Sequence, residues 1–351
     1  MSRKPKKSKR RVELNSLEQI NLDAAGIDIG AEELWVCVPS DRSEEAVRRF
    51  ETFTDDLHDV ADWLLRCNVT TVAMESTGVY WIPIYESLER CGLEVCLVNA
   101  RATKNVSGRK SDVLDCQWIQ QLHTYGLLAA SFRPPADIWV LRTYVRQRDS
   151  LLQQRARQTQ HMQKALHQMN LKLTTVISDI TGLTGMQIIR AILAGEHDPH
   201  VLAQFRHPNC KRSEVEIAKA LTGNYLPEHI FTLRQAVDAY DFFTAQLTTC
   251  DSQLEHHYAV FEPQVDIVAE PLPTKPSRRQ HNQPDFDLRT FLYLTSGVDL
   301  TAVDGIDVLL AQDILAEIGT DMSNWKTEKH FASCLGLSHN NSSSAGKVKS
   351  R

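Results

Sequence analysis

Apolar positions in the first third of the chain recur in short runs that are typical of strands, separated by turn residues or by helical patterns. The first two predicted strands are joined by a short turn around Gly30, and the third completes an antiparallel meander. Helical patterns precede the fourth and fifth strands, and another helix starts near Ser111. The predicted strands are 23–29, 34–39, 45–53, 69–74 and 93–98. This order predicts an α/β domain of the RNase H type.

Two long segments with heptad spacing of apolar side chains dominate the middle of the chain. The first runs from Asp137 to about Val176 and the second from about Pro227 to Phe261. Helices with such spacing bury their apolar stripe against a partner, so we expect a long antiparallel coiled coil. Arg148 and Arg155 fall on seam positions of the first helix among further arginines, which predicts a basic flank that contacts nucleic acid.

The last third begins with a proline-rich stretch and continues with mostly helical patterns. The motif Val303-Asp304-Gly305-Ile306-Asp307 precedes a helical pattern and resembles a helix-hairpin-helix element, whose amides can hold a DNA phosphate. Asp307 stands where such hairpins usually have a second glycine. The predicted divisions of the chain are a disordered basic arm 1–20, the α/β domain 21–135, the helical region 136–261, a linker 262–286 and a small C-terminal domain 287–351.

Four acidic residues have the surroundings expected of a metal site. Asp28 lies inside Gly26-Ile27-Asp28-Ile29-Gly30, and Glu75 ends a buried run. Asp112 and Asp115 are three residues apart on a predicted helix and therefore share a face. Carboxylates are the hard oxygen ligands that Mg²⁺ uses, and Mg²⁺ ions can stabilise both oxygens of an in-line phosphoryl displacement. The set predicts a nuclease or a strand-transfer enzyme.

Charge and cysteine usage narrow the class further. The 351-residue chain has a net charge of −5, yet seven cations stand in its first eleven residues. They are Arg3, Lys4, Lys6, Lys7, Lys9, Arg10 and Arg11, and they predict an arm that contacts phosphates. The eight cysteines form no Cys-x-x-Cys pair, which argues against a zinc cluster or a disulfide scaffold. With no apolar run long enough for a membrane span and no signal peptide, we expect a cytoplasmic protein that does not contact membrane.

Several motifs together resemble one family. Residues 26–30, Met74 to Trp81, Asn99-Ala100-Arg101 and Lys110 to Asp115 are similar to the N-terminal motifs of the DEDD-type insertion-sequence transposases, the "one-ten" family with a RuvC-like N-terminal domain. The resemblance covers nearly the whole chain. It implies that Asp28, Glu75, Asp112 and Asp115 hold Mg²⁺. It also implies a serine nucleophile in the C-terminal domain, for which Ser344 is the best match and Ser342 and Ser343 are alternatives.

The resemblance also implies partners. Members of the family act on the DNA of element ends and targets and are guided by a structured RNA. Because the metal-binding acids and the serine lie on separate domains, the resemblance also implies a composite site in a homo-oligomer, either a dimer or a tetramer. Besides the arm, the expected nucleic-acid contacts are Arg109, Lys110, Arg148, Arg155 and Lys347. Because family members continue past the position of Arg351, we expect an incomplete C-terminal domain here, and strand exchange by this chain could then fail.

Three alternatives remain beside the transposase. The segment Gly26 to Gly30 also resembles the first phosphate loop of actin-like and sugar-kinase ATPases, but the meander is not repeated after residue 150. A RuvC-like nuclease would need only the four acids and water. An inactive remnant would bind nucleic acid through the arm and the helices without cutting it.

Overall fold

The structure is a computed structural model that describes residues 17–76, 78–99, 112–274 and 281–337, together with the backbone of 342–344 and 347–350. The chain forms two compact units, one ending at Arg133 and the other beginning at Pro134. The predicted contacts in the arm, and those at Arg109 and Lys110, lie outside the described residues.

A five-stranded mixed sheet organises the first unit. Its strands are β1 (Ala24–Ile29), β2 (Glu33–Cys37), β3 (Val47–Glu51), β4 (Thr71–Glu75) and β5 (Glu94–Val98), in the spatial order β3-β2-β1-β4-β5. The first three strands pair antiparallel, while β4 is parallel to β1 and β5 is parallel to β4. Ala25, Ile27 and Met74 are fully buried in the central strands. All five predicted strands are confirmed, and the sheet with its helices is consistent with an RNase H-like domain.

Among the residues that the structure describes, three helices accompany this sheet: α1 (Thr54–Arg66), α2 (Trp81–Arg90) and α3 (Asp112–Thr124). The backbone of α3 lies directly against β1 at Gly26, where a Cβ atom would stand 2.4 Å from the Gln120 nitrogen and 2.5 Å from the Cys116 carbonyl oxygen. No side chain larger than hydrogen fits there. Nearby, the Gln120 side chain donates a hydrogen bond of 3.3 Å to the Ala24 carbonyl. Gly26 therefore sets how closely α3 approaches the sheet.

The second unit is helical and is organised around two long helices. Its helices are α4 (Ala136–Gln168), α5 (Leu173–Val176), α6 (Leu183–Leu193), α7 (Pro199–Ala203), α8 (Glu214–Ala220), α9 (Pro227–Tyr258), α10 (Leu288–Ser296), α11 (Val308–Ile318) and α12 (Glu328–Cys334). Its one described strand pair is β6 (Ser342–Ser344) with β7 (Lys347–Ser350).

The long helices α4 and α9 lie antiparallel. His257 contacts the Asp137 carbonyl near one end, Arg148 pairs with Asp251, and Arg155 lies over the Tyr240 ring farther along. The two helices thus pair along their length, and the first ends at Gln168 instead of continuing to Val176 as predicted. Asn170 adopts a left-handed conformation with φ +57°, which stops the helix, and Leu173–Val176 forms a separate turn.

Arg148 is a buried partner within this helix pair. Its side chain is 6% exposed, and its Nε donates to the Asp251 carboxylate at 2.5 Å while an Nη donates to the Asn282 carbonyl at 2.6 Å. Arg155 is half-buried and donates to the Asn282 side chain at 2.7 Å. The sequence placed both arginines among the nucleic-acid contacts, whereas the structure turns both toward protein groups.

The segment predicted as a linker packs against this unit in its described parts. The Gln264 amide donates to the Leu294 carbonyl at 2.7 Å, and the Tyr293 hydroxyl donates to the Glu270 carbonyl at 3.1 Å. Phe286 joins the apolar cluster formed by α4, α9, α10 and α11. The segment is therefore fastened to the helical unit at Gln264, Glu270 and Phe286 and is not a free spacer at these positions.

The predicted hairpin lies between α10 and α11. Gly305 adopts φ +87° in the turn, and Asp307 caps α11 by accepting a hydrogen bond of 2.8 Å from the Leu310 amide. A carboxylate thus occupies the helix N-terminus that a phosphate would use. The geometry gives no support to phosphate binding there.

We predict that Gly26→Ala destabilises the protein by about 3 kcal/mol, because the new methyl group overlaps the backbone of α3. The neighbouring change Ala25→Gly, which removes one buried methyl group and adds backbone freedom, should cost about 1.5 kcal/mol. Urea unfolding followed by far-UV circular dichroism measures both. Equal stability of Gly26→Ala and wild type would contradict the close approach.

The Arg148–Asp251 pair gives a second prediction. Arg148→Met leaves the Asp251 carboxylate with little exposure and without its arginine partner, so we expect the free energy of unfolding to fall by about 3 kcal/mol. The double variant Arg148→Met/Asp251→Leu should regain most of that stability. The control is Arg190→Met, which breaks the well-exposed Arg190–Asp241 pair and should cost less than about 1 kcal/mol. A loss for Arg148→Met no larger than that of the control would contradict the buried pair.

Candidate active site

Two of the four acids lie side by side at the carboxyl ends of neighbouring parallel strands. In the β1–β4 pairing Ile27 is opposite Met74, so the next residues, Asp28 and Glu75, are neighbours at the same edge of the sheet. Ile27 and Met74 are fully buried, whereas Asp28 is only half-buried. Strand alternation thus anchors β1 through Ile27 and leaves the Asp28 carboxylate accessible to a ligand.

Helix α3 brings the other two acids to this edge. Gly26 and Asp28 are two residues apart on β1 and therefore share a sheet face, the face on which α3 lies. Cys116 and Gln120 cover Gly26, so Asp112 and Asp115, about one turn earlier, lie near Asp28. All three other acids interact electrostatically with Asp28, and Asp115 does so most strongly.

The pKa of Asp28 reflects this convergence. Burial, followed by repulsion from Asp115, Asp112 and Glu75, raises it from 3.8 to about 6, while a hydrogen bond from the Ile29 amide opposes the change. Holding Asp28 ionised near three other carboxylates costs free energy in the absence of a cation. A divalent cation would relieve that repulsion.

The donor set fits a divalent ion as an open site. Among the residues that the structure describes, no three His, Cys, Asp or Glu side chains converge closely enough to ligate one ion by themselves. Mg²⁺ commonly takes only one or two carboxylates and fills its other positions with water and substrate phosphate. Four hard carboxylates at one sheet edge match that requirement.

Two buried thiols under the acids were missed by the sequence analysis. Cys37 is opposite Gly26 in the β1–β2 pairing, and Cys116 covers Gly26 from α3. A hydrogen bond with Cys37 and burial together raise the pKa of Cys116, and the same hydrogen bond lowers the pKa of Cys37. Both thiols are at most 5% exposed, so they form part of the support below the acids. Only the tertiary contact reveals this role.

The serine segment forms a hairpin, where the sequence had indicated a loop. Strand β6 (Ser342–Ser344) pairs antiparallel with β7 (Lys347–Ser350), and Ser344 is opposite Lys347. The pairing register shifts between Ser342 and Ser343. The hairpin thus places the backbone of the predicted nucleophile directly across from that of the predicted phosphate-binding lysine.

Comparison with known families decides the identity. A family model for DEDD-type IS110 transposases, described as "Transposase", matches residues 25–171, and a second, described as "Transposase IS116/IS110/IS902 family", matches residues 299–351. Together these matches cover more than half of the chain. The chain belongs to the IS110 family of transposases. The four acids lie in the first matched region of this transposase, and Ser344 and Lys347 lie in the second.

The family assignment favours the transposase over the ATPase alternative and implies use of a divalent metal and binding to DNA. No curated protein matches the sequence of this IS110 transposase. Within the described part of the transposase, no helix is both long and apolar enough to cross a membrane.

The raised pKa of Asp28 yields a prediction for the metal-free transposase. Because the folded state binds this proton more tightly than the unfolded state, wild type loses stability as the pH rises from about 4 to about 6. Asp28→Asn should therefore be more stable than wild type above pH 6, by about 1 kcal/mol since water screens the partly exposed group, and equal to it below pH 4.

Thermal unfolding in EDTA across this pH range measures the difference. The matched control is Asp59→Asn, which changes an exposed acid on α1 and should shift stability little at any pH. An Asp28→Asn protein that is less stable than wild type at pH 7 would show that the acids do not repel one another.

Proposed function

We propose that this transposase cuts and rejoins DNA strands with Mg²⁺ held by Asp28, Glu75, Asp112 and Asp115, and with Ser344 as its nucleophile. The observation that carries the proposal is the convergence of four carboxylates at one sheet edge, which follows from the β1–β4 register and from the docking of α3 at Gly26; the raised pKa of Asp28 agrees with it. Acids with strongly raised pKa values cluster at functional sites, and a bound cation would offset the repulsion among these carboxylates. The family assignment supplies the insertion-sequence context.

The carboxylates have distinct parts in the proposal. Asp28 and Glu75 are fixed by β1 and β4, whose register holds them side by side. Asp112 and Asp115 come from the first turn of α3, so their positions depend on the docking of that helix at Gly26. A bound Mg²⁺ would neutralise charge on the scissile phosphate and on the leaving oxygen.

Ser344 is proposed to form a transient covalent link. The serine oxygen forms a bond to the scissile phosphorus, and the bond between that phosphorus and the oxygen of the leaving strand breaks. The serine proton passes to the leaving oxygen, so that the leaving strand ends in a hydroxyl group. Attack by the hydroxyl end of another strand then reverses the step and frees the serine. Lys347, opposite Ser344 in the hairpin register, is proposed to offset the negative charge of the phosphate.

Further elements of the proposal concern partners. A structured guide RNA would supply sequence choice by base pairing, while the protein holds backbone and shape. The seven cations before residue 12, with Arg109 and Lys110, are proposed to contact phosphates. The acids and Ser344 belong to different compact units of the chain, and we propose that the active enzyme is a homo-oligomer.

One alternative has a specific observation in its favour. The four acids all belong to the first unit and form a set that could activate water without any serine, as in a RuvC-like nuclease. That enzyme would release nicked DNA with no covalent link to protein. The two functions differ in the product formed at the first step.

The test is incubation of the full chain with element-end DNA, flanking RNA and Mg²⁺, followed by denaturing electrophoresis and mapping of any DNA-linked peptide. We expect an adduct at Ser344 that Ser344→Ala abolishes, whereas Ser342→Ala and Ser343→Ala retain it. Asp28→Asn should reduce the adduct at least about a hundredfold, because loss of one member of a catalytic set disables the whole set. Asp59→Asn is the control and should keep full activity.

Nicking that depends on Mg²⁺ and Asp28 but survives Ser344→Ala would establish the nuclease instead. An adduct that maps to Ser342 or Ser343 would reassign the nucleophile. Binding of DNA or RNA with neither nicking nor adduct would contradict both enzymatic proposals.

A further inference from the structure

One solvent-exposed face of α4 has an unusual composition. Six side chains, all exposed, lie within an arc of about 100° at the ordinary helical rotation. They are Gln153, Arg157, Gln160, His161, Lys164 and Gln168, and we call them the amide-basic face. Over this length the helix rises about 22 Å.

No carboxylate interrupts this part of the chain. Between Ser150 and Ser178 there is no Asp or Glu, although the whole chain carries 44. The partner helix α9 is of nearly equal length and carries Glu228, Asp238, Asp241, Asp251 and Glu255. Solvated helix faces usually mix both signs of charge, as α9 does. Simple exposure to water therefore does not account for the amide-basic face.

The cations elsewhere on α4 are engaged with protein groups. Arg142 donates to the Ala316 carbonyl at 3.1 Å, and Arg146 pairs with Glu317 at 2.8 Å, so both fasten the end of α11 to α4. Arg148 and Arg155 face the opposite side of the helix from the amide-basic face and contact Asp251 and Asn282. By contrast, Arg157 and Lys164 form no ion pair with any residue in the described ranges.

We infer that the amide-basic face binds the backbone of double-stranded DNA. Arginine and lysine pair with phosphates, and glutamine amides bond to phosphate and sugar oxygens, as such residues do in most protein–DNA contacts. The length of the face corresponds to about six base pairs at 3.4 Å each. We choose DNA as the partner because transposases bind DNA. A face that carries cations and no carboxylate also complements the negative charge on each DNA phosphate.

The inference rests on DNA binding by this family and not on the proposed metal acids or serine. It is tested by fluorescence anisotropy with the full chain and a labelled element-end duplex in EDTA, where no metal-dependent cleavage occurs. The test variant is Arg157→Glu with Lys164→Glu. We expect DNA affinity to fall about tenfold or more, and the dependence of log affinity on log salt concentration to lose about two units of slope.

The control is Lys219→Glu with Lys329→Glu, which makes the same change in net charge at exposed positions on α8 and α12. It should bind DNA within about twofold of wild type. Arg157→Lys, which keeps the charge, should bind as wild type does. Unchanged thermal unfolding of the test variant shows that a loss of binding is not a loss of fold.

Two results would overturn the inference. If the test variant and the control bind DNA equally well, the face does not hold duplex DNA. If the test variant binds DNA normally but loses affinity for the flanking RNA, the face holds RNA and the choice of DNA is wrong. If the wild-type chain binds DNA in EDTA but neither cleaves it nor forms an adduct when Mg²⁺ is added, that result counts against the proposed function and leaves the inference about the amide-basic face intact.

Discussion

The docking of α3 onto β1 at Gly26 is the contact on which the candidate site depends. A Cβ atom at this position would stand 2.4 Å from the backbone of α3, so only glycine lets the helix lie on the strand. That approach sets the distance between Asp28, two residues farther along β1, and the carboxylates in the first turn of α3. The buried thiols of Cys37 and Cys116 fill the space around the same contact. The close approach of α3 to β1 at Gly26 therefore determines both the packing of the helix on the sheet and the positions of the acids in the candidate site.

The same contact creates an electrostatic cost. Three acids and partial burial act on Asp28 and raise its pKa to about 6, so the metal-free fold holds its own carboxylates against repulsion. Natural proteins accept such local conflicts mainly where function requires them. The second unit differs in this respect, because its buried Arg148 pairs with the opposite charge of Asp251 between the two long helices. Among the described residues, carboxylates gather at one sheet edge, whereas a cation and a carboxylate pair between α4 and α9.

Sequence periodicity was sufficient for the sheet and the long helices, because strand alternation and heptad spacing are local signals. It placed Asp28, Glu75, Asp112 and Asp115 on the correct elements, and the structure brings them into electrostatic contact. The end of α4 was wrong because the left-handed conformation of Asn170 carries no periodic signal. The inward orientation of Arg148 depends on Asp251, which is 103 residues away in the sequence and therefore gives no local signal. The serine strand was predicted as a loop because its residues show no alternation of apolar and polar side chains.

The most direct test of the metal site is a crystal structure of the protein grown with Mn²⁺ and element-end DNA, measured at a wavelength where manganese scatters anomalously. We predict a peak bound by Asp28 and by at least one of Asp112 and Asp115, with a DNA phosphate oxygen in its coordination shell. A peak bound by other residues, or DNA seated at this edge of the sheet with no manganese beside Asp28, would contradict the account.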